Sequence, residues 1–253
     1  MSPPEVGLVI PSYREHENIA ELVRKARAAI PGIAVIVVDD SPDRLTVQAV
    51  ESLGLDGVRA IHRPKKGGRG SAVLAGIREL LALDCRRIIE MDADFSHPPA
   101  QLPELARGLE ERGFDLLIGS RYLPQSRIEN WPLTRLTFSR FSNLLARTLL
   151  GVPVRDYTNG FRAYSRNAAE CVAATCGRMG AGFISLSEIL LNLHARGYRI
   201  GETPTVFVNR LRGESSIDAA ELWNAVSGLI RMFLFLRLKA FFAPPADHRA
   251  PRG

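Results

Sequence analysis

Val35-Ile36-Val37-Val38-Asp39-Asp40 is a run of four β-branched residues that ends in two carboxylates. A stretch this short and this apolar reads as a strand buried on both faces. Similar runs stand at 6–10, 58–61, 87–91 and 116–119, and helical patterns near 18–30, 44–53, 70–83 and 99–112 separate them. Strands alternating with helices of that length make an α/β fold, with a mainly parallel central sheet flanked by helices. Pro31-Gly32 closes the first helix. Pro98-Pro99 opens the fourth, where a missing N–H does little harm.

Beyond residue 120 the alternation weakens. Residues 121–130 are polar and irregular, 133–150 are helical, and 198–208 read as extended chain. No linker, repeat or low-complexity tract divides the halves, so the second continues the first as one domain. With 253 residues, 46% of them apolar, the chain can fill a full core. Its 33 Lys and Arg against 27 Asp and Glu leave a net charge of +6 and a pI near 9.6, which favours a phosphate-bearing partner. Cys85, Cys171 and Cys176 form no C-x-x-C pair, which argues against a disulfide scaffold or a thiolate zinc site and fits a reducing, cytoplasmic setting. The first residues lack the basic and apolar regions of a signal peptide, and no uncharged apolar run is as long as a bilayer span. Residues 222–242 are apolar nearly all round, with Arg231, Arg237 and Lys239 as the only charges, and read as a helix for a membrane surface, for a small membrane partner or for the domain's own core.

In open α/β sheets, ligands sit beyond the carboxyl ends of the strands. Here those positions are acidic: Asp39 and Asp40 after the second strand, Asp92 and Asp94 around Ala93 after the fourth. If the chain stays extended, Asp92 and Asp94 point the same way. Two such carboxylates repel unless a cation lies between them, and a divalent ion shared with a diphosphate would supply it. The segment from His62 to Ser71 is basic and glycine-rich and opens a helix, so its N–H groups are candidates to meet an anion. It matches neither the Walker A loop nor the dinucleotide G-x-G-x-x-G. The five histidines lack the spacing of a zinc site, no G-x-S-x-G elbow occurs, and the basic clusters lack the aromatic interleaving of a nucleic-acid platform.

Seven segments in order carry a wider likeness: Pro11-Ser12-Tyr13-Arg14-Glu15, Val37-Val38-Asp39-Asp40, Gly68-Arg69-Gly70-Ser71, Met91-Asp92-Ala93-Asp94-Phe95-Ser96-His97-Pro98, Gly119-Ser120-Arg121-Tyr122, Asp156-Tyr157-Thr158-Asn159-Gly160-Phe161-Arg162 and Arg212-Gly213-Glu214-Ser215. From about residue 5 to 217 the chain resembles the dolichol- or polyprenol-phosphate mannosyltransferases, inverting family-2 glycosyltransferases of GT-A fold.

The resemblance implies roles by position. Pro11, Tyr13, Glu15, Asp39 and Asp40 would line the base and ribose pocket, and Asp92, Ala93 and Asp94 the D-x-D element that holds the nucleotide sugar. Asp94 and Ser96 would ligate Mg2+ or Mn2+. Arg210 and Arg212 would close over the diphosphate, and Arg121, Arg135 and Ser139 would take the acceptor phosphate. Asp92, Asp94 and Arg121 would carry the catalysis. The implied reaction moves a hexosyl group, mannose from GDP-mannose, onto a polyprenyl monophosphate, by an enzyme peripheral at the inner face of the membrane. Residues 1–217 would be the catalytic domain, 218–243 a membrane-surface or docking helix and 244–253 a flexible tail. One rival reading uses UDP-glucose or a UDP-N-acetylhexosamine, or a hydroxyl acceptor, for which Glu188 or Asp156 is the candidate base. Another is a catalytically idle membrane-associated scaffold, for which an intact D-A-D has no use.

Overall fold

The computed structural model describes residues 4–179, 184–209 and 233. The chain forms strands β1 (Val6–Ser12), β2 (Ala34–Asp39), β3 (Val58–His62), β4 (Arg87–Glu90), β5 (Leu116–Ser120), β6 (Arg127–Glu129), β7 (Arg162–Ser165), β8 (Ile200–Pro204) and β9 (Val206–Val208). The helices are α1 (His16–Ala29), α2 (Leu45–Glu51), α3 (Arg69–Ala82), α4 (Leu102–Glu111), α5 (Leu133–Leu150), α6 (Arg166–Thr175) and α7 (Ile184–Ala195). Seven strands make one sheet in the order β3-β2-β1-β4-β7-β5-β8, and β6 pairs with β9 beside it.

The first five strands fall where the apolar runs place them, within one or two residues. The sheet is parallel except for β7, which runs antiparallel between β4 and β5. Two sequence expectations change. The fourth helical pattern begins as a 3-10 turn (Pro99–Gln101) before α4 takes over. The extended stretch near 198–208 is two strands: β8 ends at Pro204, and β9 continues in the small sheet.

Period-2 alternation divides the core. Leu8 and Ile10 of β1 and Val35 and Val37 of β2 face α1 and α4, while Val9, Ile36 and Val38 face the side covered by α3, α6 and α7. Both faces are therefore dry, as a parallel sheet requires. The order of the sheet turns at β1: the chain runs outward through α1, β2, α2 and β3 on one side and returns through α3 to β4 on the other. That is where an open α/β sheet leaves a crevice beyond its strand ends.

Gly76 sets how closely α3 lies on the sheet. A Cβ there would collide with Val9 Cγ2 and press on Val9 Cβ, a contact only a shift of helix or strand can relieve. Gly76→Ala is expected to cost about 1–3 kcal/mol through overpacking and to lower the urea midpoint without changing the slope of the transition.

Candidate active site

The parallel strands all deliver their carboxyl ends to one edge. Ser12 pairs with Asp39 and Asp39 with His62 across β1, β2 and β3, so the chain leaves these strands side by side. β7 runs the other way and begins at the same edge, with Arg162 opposite both Glu90 and Ile118. The loops 13–15, 40–41, 63–68, 91–97, 121–126 and 156–161 accordingly share one rim.

At the end of the rim where base and ribose are expected, Arg14 adopts a left-handed φ of 59°, which turns its N–H onto Ser41 Oγ at 2.7 Å. Ser41 in turn donates to Asp39 Oδ1 at 2.7 Å. Asp39 is fully buried, and among the described residues its Oδ2 has no hydrogen-bond partner, nor do Ser12 Oγ and Thr46 Oγ1. Tyr13 is 38% exposed with Lys66 Nζ 4.3 Å from its ring centre. Pro11 lies buried at the strand end, and Glu15 accepts from Asn18 Nδ2 at the start of α1. The glycine-rich loop differs from its expected use. Gly67 and Gly68 both give their N–H groups to Asp40 Oδ2, and Arg63 closes on the same carboxylate through two bonds of 2.6 Å. The anion this loop holds is the chain's own Asp40.

The D-A-D segment is not extended. β4 stops at Glu90, and Phe95 takes a left-handed φ of 59°, so the chain turns and Ser96 N–H returns to Asp94 Oδ1 at 3.0 Å. Ala93 and Asp94 are buried, and Asp92 is half-buried. Arg69, the first residue of α3, braces this segment from below. It donates to Asp92 Oδ1 at 2.8 Å and to fully buried Glu90 Oε1 at 2.9 Å, while Tyr164 OH donates to Glu90 Oε2 at 2.7 Å. Glu90 can lie inside the sheet because Ile88 and Glu90 face the α3 side, where this cation waits. Gly160 leaves room for this guanidinium, since a Cβ there would displace Arg69 Nη2. Burial opposes the Arg69 charge, but Asp92 and Glu90 outweigh it and raise its pKa.

At the end of the rim where the acceptor phosphate is expected, Arg121 and Asp156 form a buried bidentate pair through bonds of 2.8 and 2.7 Å, and Arg121 also reaches Thr158 Oγ1. Burial alone would push the Asp156 carboxyl up, but the Arg121 charge and hydrogen bonds prevail and hold it below the usual carboxylate range. Arg121 Nη1 has no hydrogen-bond partner among the described residues, and the side chain borders a cavity of about 680 Å3. Leu123, Pro124, Ile128, Leu136 and Leu144 give this cavity apolar walls; Arg140, Arg147 and Arg155 make it basic. Arg135 lies over Trp131, 4.3 Å from the ring centre, with Arg121 5.5 Å from the same ring. Arg135 also donates to Asn209 Oδ1, and Ser139 Oγ accepts from Tyr122 OH at 2.6 Å. Arg210 and Arg212, the expected diphosphate clamps, lie outside the described residues, as do residues 218–232 and 234–253 of the expected helix and tail.

Both candidate bases for a hydroxyl acceptor are already committed. Asp156 is held by Arg121, and Glu188 accepts the N–H groups of Gly177 and Arg178 at 3.1 and 3.0 Å. Local sequence pattern missed Arg63, Glu90, Tyr164, His97 and Asn159. His97 stacks on Phe161 and donates through Nε2 to Asn159 Oδ1 at 2.8 Å, and burial lowers its pKa to about 4. The signal for Asn159 and Gly160 was present in the Asp156 to Arg162 segment, but their partners come from distant strands.

This fold and rim define a glycosyltransferase of GT-A architecture. A model described as Glycosyl transferase family 2 matches residues 8–173, and the chain belongs to that family. Polyprenol monophosphomannose synthase of Mycolicibacterium smegmatis is 34% identical over 87% of this chain and 83% of its own length. Undecaprenyl-phosphate mannosyltransferase of Micrococcus luteus is 36% identical over 90% and 94%. Among solved structures, glucosyl-3-phosphoglycerate synthase from Mycobacterium tuberculosis with Mn2+, uridine diphosphate and glucosyl-3-phosphoglycerate superposes with a TM-score of 0.64 at 21% identity, over 92% of this chain and 80% of that one.

Two outcomes are expected. Arg69→Met leaves Glu90 buried without its cation and should cost about 3–5 kcal/mol in urea unfolding, with part of the loss recovered in Arg69→Met/Glu90→Gln. For Asp156 the folded carboxyl titrates below its unfolded value, so the unfolded chain takes up the proton first as pH falls. Its stabilisation is whole above about pH 3.9 and disappears as pH falls further through the folded value, so Asp156→Asn should lower the melting temperature at neutral pH and flatten the acid limb below about pH 3.9.

Proposed function

We propose that the chain transfers mannose from GDP-mannose to a polyprenyl monophosphate with inversion at the anomeric carbon. The observation that carries this reading is the Arg121 guanidinium, locked by Asp156, on a side chain that lines a cavity with leucine and isoleucine walls and an arginine rim. A phosphate headgroup on an aliphatic chain has the matching chemistry: charge for Arg121, hydrocarbon for Leu123, Leu136 and Leu144. The names of the Mycolicibacterium and Micrococcus relatives support the same acceptor and sugar.

A lipid monophosphate is largely ionised near neutrality, so its oxygen attacks without a strong general base. That fits a site in which Asp156 and Glu188 are both occupied. The chemical difficulty is bringing two anions together, and arginines that bind the acceptor reduce that repulsion. In this reading Arg121, Arg135 and Ser139 receive the acceptor phosphate, and Pro11, Tyr13, Glu15, Asp39, Asp40, Asp92, Ala93 and Asp94 receive the donor, with Arg210 and Arg212 closing over its diphosphate. Residues 1–217 form the catalytic unit, which works as a peripheral protein at the inner face of the membrane. No helix among the described residues is long and apolar enough to cross a bilayer.

The donor set suits Mg2+ or Mn2+. Among the described residues there is no group of three or more His, Cys, Asp or Glu able to hold an ion alone. Asp92 and Asp94 offer hard oxygens with Ser96 beside them, which leaves the other positions to diphosphate and water, as is usual for Mg2+. When bound, the ion stabilises negative charge on the departing diphosphate.

Radiolabelled GDP-mannose, UDP-glucose and UDP-N-acetylglucosamine, each incubated with the protein and polyprenyl phosphate, test the reading by butanol extraction. Labelled lipid is expected from GDP-mannose. Label only from a UDP sugar reassigns the donor, and label from none of the three overturns the reading. Asp94→Asn should lower transfer more than about a hundredfold while the melting curve is retained. Arg135→Ala should raise the KM for lipid phosphate and leave nucleotide affinity nearly unchanged.

A further inference from the structure

The half of α5 that carries Arg135 and Ser139 has no buried residue. From 133 to 142 every side chain is exposed or half-buried, and the buried stripe of the helix consists of Asn143, Ala146 and Leu150. Its first member is polar, and it uses its carboxamide in full. Tyr157 N–H can only donate, so the oxygen of Asn143 faces it, at 2.7 Å; the nitrogen then donates to the Ser139 carbonyl at 2.8 Å and to Thr158 Oγ1 at 3.4 Å. Thr158 Oγ1 also accepts from Arg121 Nη2 at 2.7 Å. One side chain thus ties α5 to the turn whose Asp156 and Thr158 grip Arg121. A second tie, from Tyr122 OH to Ser139 Oγ, reaches the same helix from the residue after Arg121.

A buried asparagine inside a helix is a poor choice for packing alone, since a leucine of similar size would add apolar burial. It suits a place where one side chain must accept a backbone N–H and donate to two oxygens, which neither aspartate nor leucine can do. Asn143 borders the cavity beside Arg121, yet its oxygen and both of its N–H bonds are engaged within the fold. We propose that Asn143 is a positioning residue for the acceptor phosphate: it sets the separation between Arg121, held by residues 156 and 158, and Arg135 and Ser139 on α5, so that all three can meet one phosphate. The identity of that acceptor rests on the lipid-phosphate reading; the coupling of α5 to residues 157 and 158 does not.

The test uses the full chain with GDP-mannose and a short-chain polyprenyl phosphate in detergent. Asn143→Ala should raise the KM for the lipid phosphate at least about tenfold and change the KM for GDP-mannose by less than about twofold. Because Asn143 acts through Arg135 and Ser139, the same change made in Arg135→Ala/Ser139→Ala should raise the lipid KM by less than about twofold more, whereas a merely structural loss would add in full. Hydrogen exchange should quicken across residues 133–142 and 157–158 and stay as it is across β1 and β2. Thr158→Val removes only the hydroxyl shared by Asn143 and Arg121, keeps the shape of the side chain and should raise the lipid KM about threefold; it carries the test if Asn143→Ala does not fold. An unchanged lipid KM in the folded variant, equal rises for both substrates, or an additive effect in the double background overturns the proposal, and so does unchanged exchange across 133–142. A wild-type protein that labels no lipid from any donor overturns the proposed reaction instead, and the exchange measurement then still decides whether Asn143 couples α5 to the turn.

Discussion

Carboxylates gathered at one edge of a sheet repel one another, and the architecture of the site follows from how that repulsion is relieved. Three arginines do it, each arriving from a different segment. Arg63 closes on Asp40, Arg69 bridges Glu90 and Asp92, and Arg121 grips Asp156. Such pairs add little net stability when the cost of dehydrating both charges is counted, yet removing one partner leaves a buried charge with no answer. Their value here is geometric. Each pair ties one loop to another, so loops with little regular structure keep fixed positions at the rim.

The same ties explain how residues far apart in sequence come to act in one place. Arg69 opens α3, Glu90 ends β4, Tyr164 lies in β7 and Gly160 precedes it, yet all four meet around one guanidinium. β7 is the element that makes this possible. Because it runs antiparallel, it brings residues 156–161 back to the edge where the parallel strands end. Arg162 anchors that return, fully buried and donating to the carbonyls of Tyr157, Asn159 and Leu186. The short strand thereby joins the segment that holds Arg121 to the segment that holds Asp92.

Legibility in the sequence follows the range of the interactions. The strands before residue 120 were readable because short apolar runs set between helical patterns, of which 35–38 is β-branched throughout, have few other uses. β7 was not: Arg162-Ala163-Tyr164-Ser165 looks polar, and its arginine and tyrosine are buried only because carbonyls and Glu90 await them. Asp39, Asp40, Asp92 and Asp94 were readable as strand-end acids. The turn that follows Asp92 was not, because it depends on Phe95 accepting a left-handed φ. The basic, glycine-rich segment was read from local chemistry as a candidate to meet an anion, and its Gly67 and Gly68 N–H groups meet the carboxylate of Asp40. Asp40, 27 and 28 residues from the glycines it binds, is a partner no local pattern reveals.

The Arg121–Asp156 pair has a consequence for the kind of reaction this rim suits. A carboxylate that serves as general base must be free to receive a proton, and its pKa must lie near the working pH. Asp156 meets neither condition, because two of its bonds and its lowered pKa belong to Arg121. What the pair supplies instead is orientation. With Nε and Nη2 bonded to the carboxylate and to Thr158, the guanidinium is fixed in orientation, so in the proposed reaction it needs little further ordering to meet an anion. A site arranged this way is suited to an acceptor that brings its own negative charge, and poorly suited to one whose proton must first be removed.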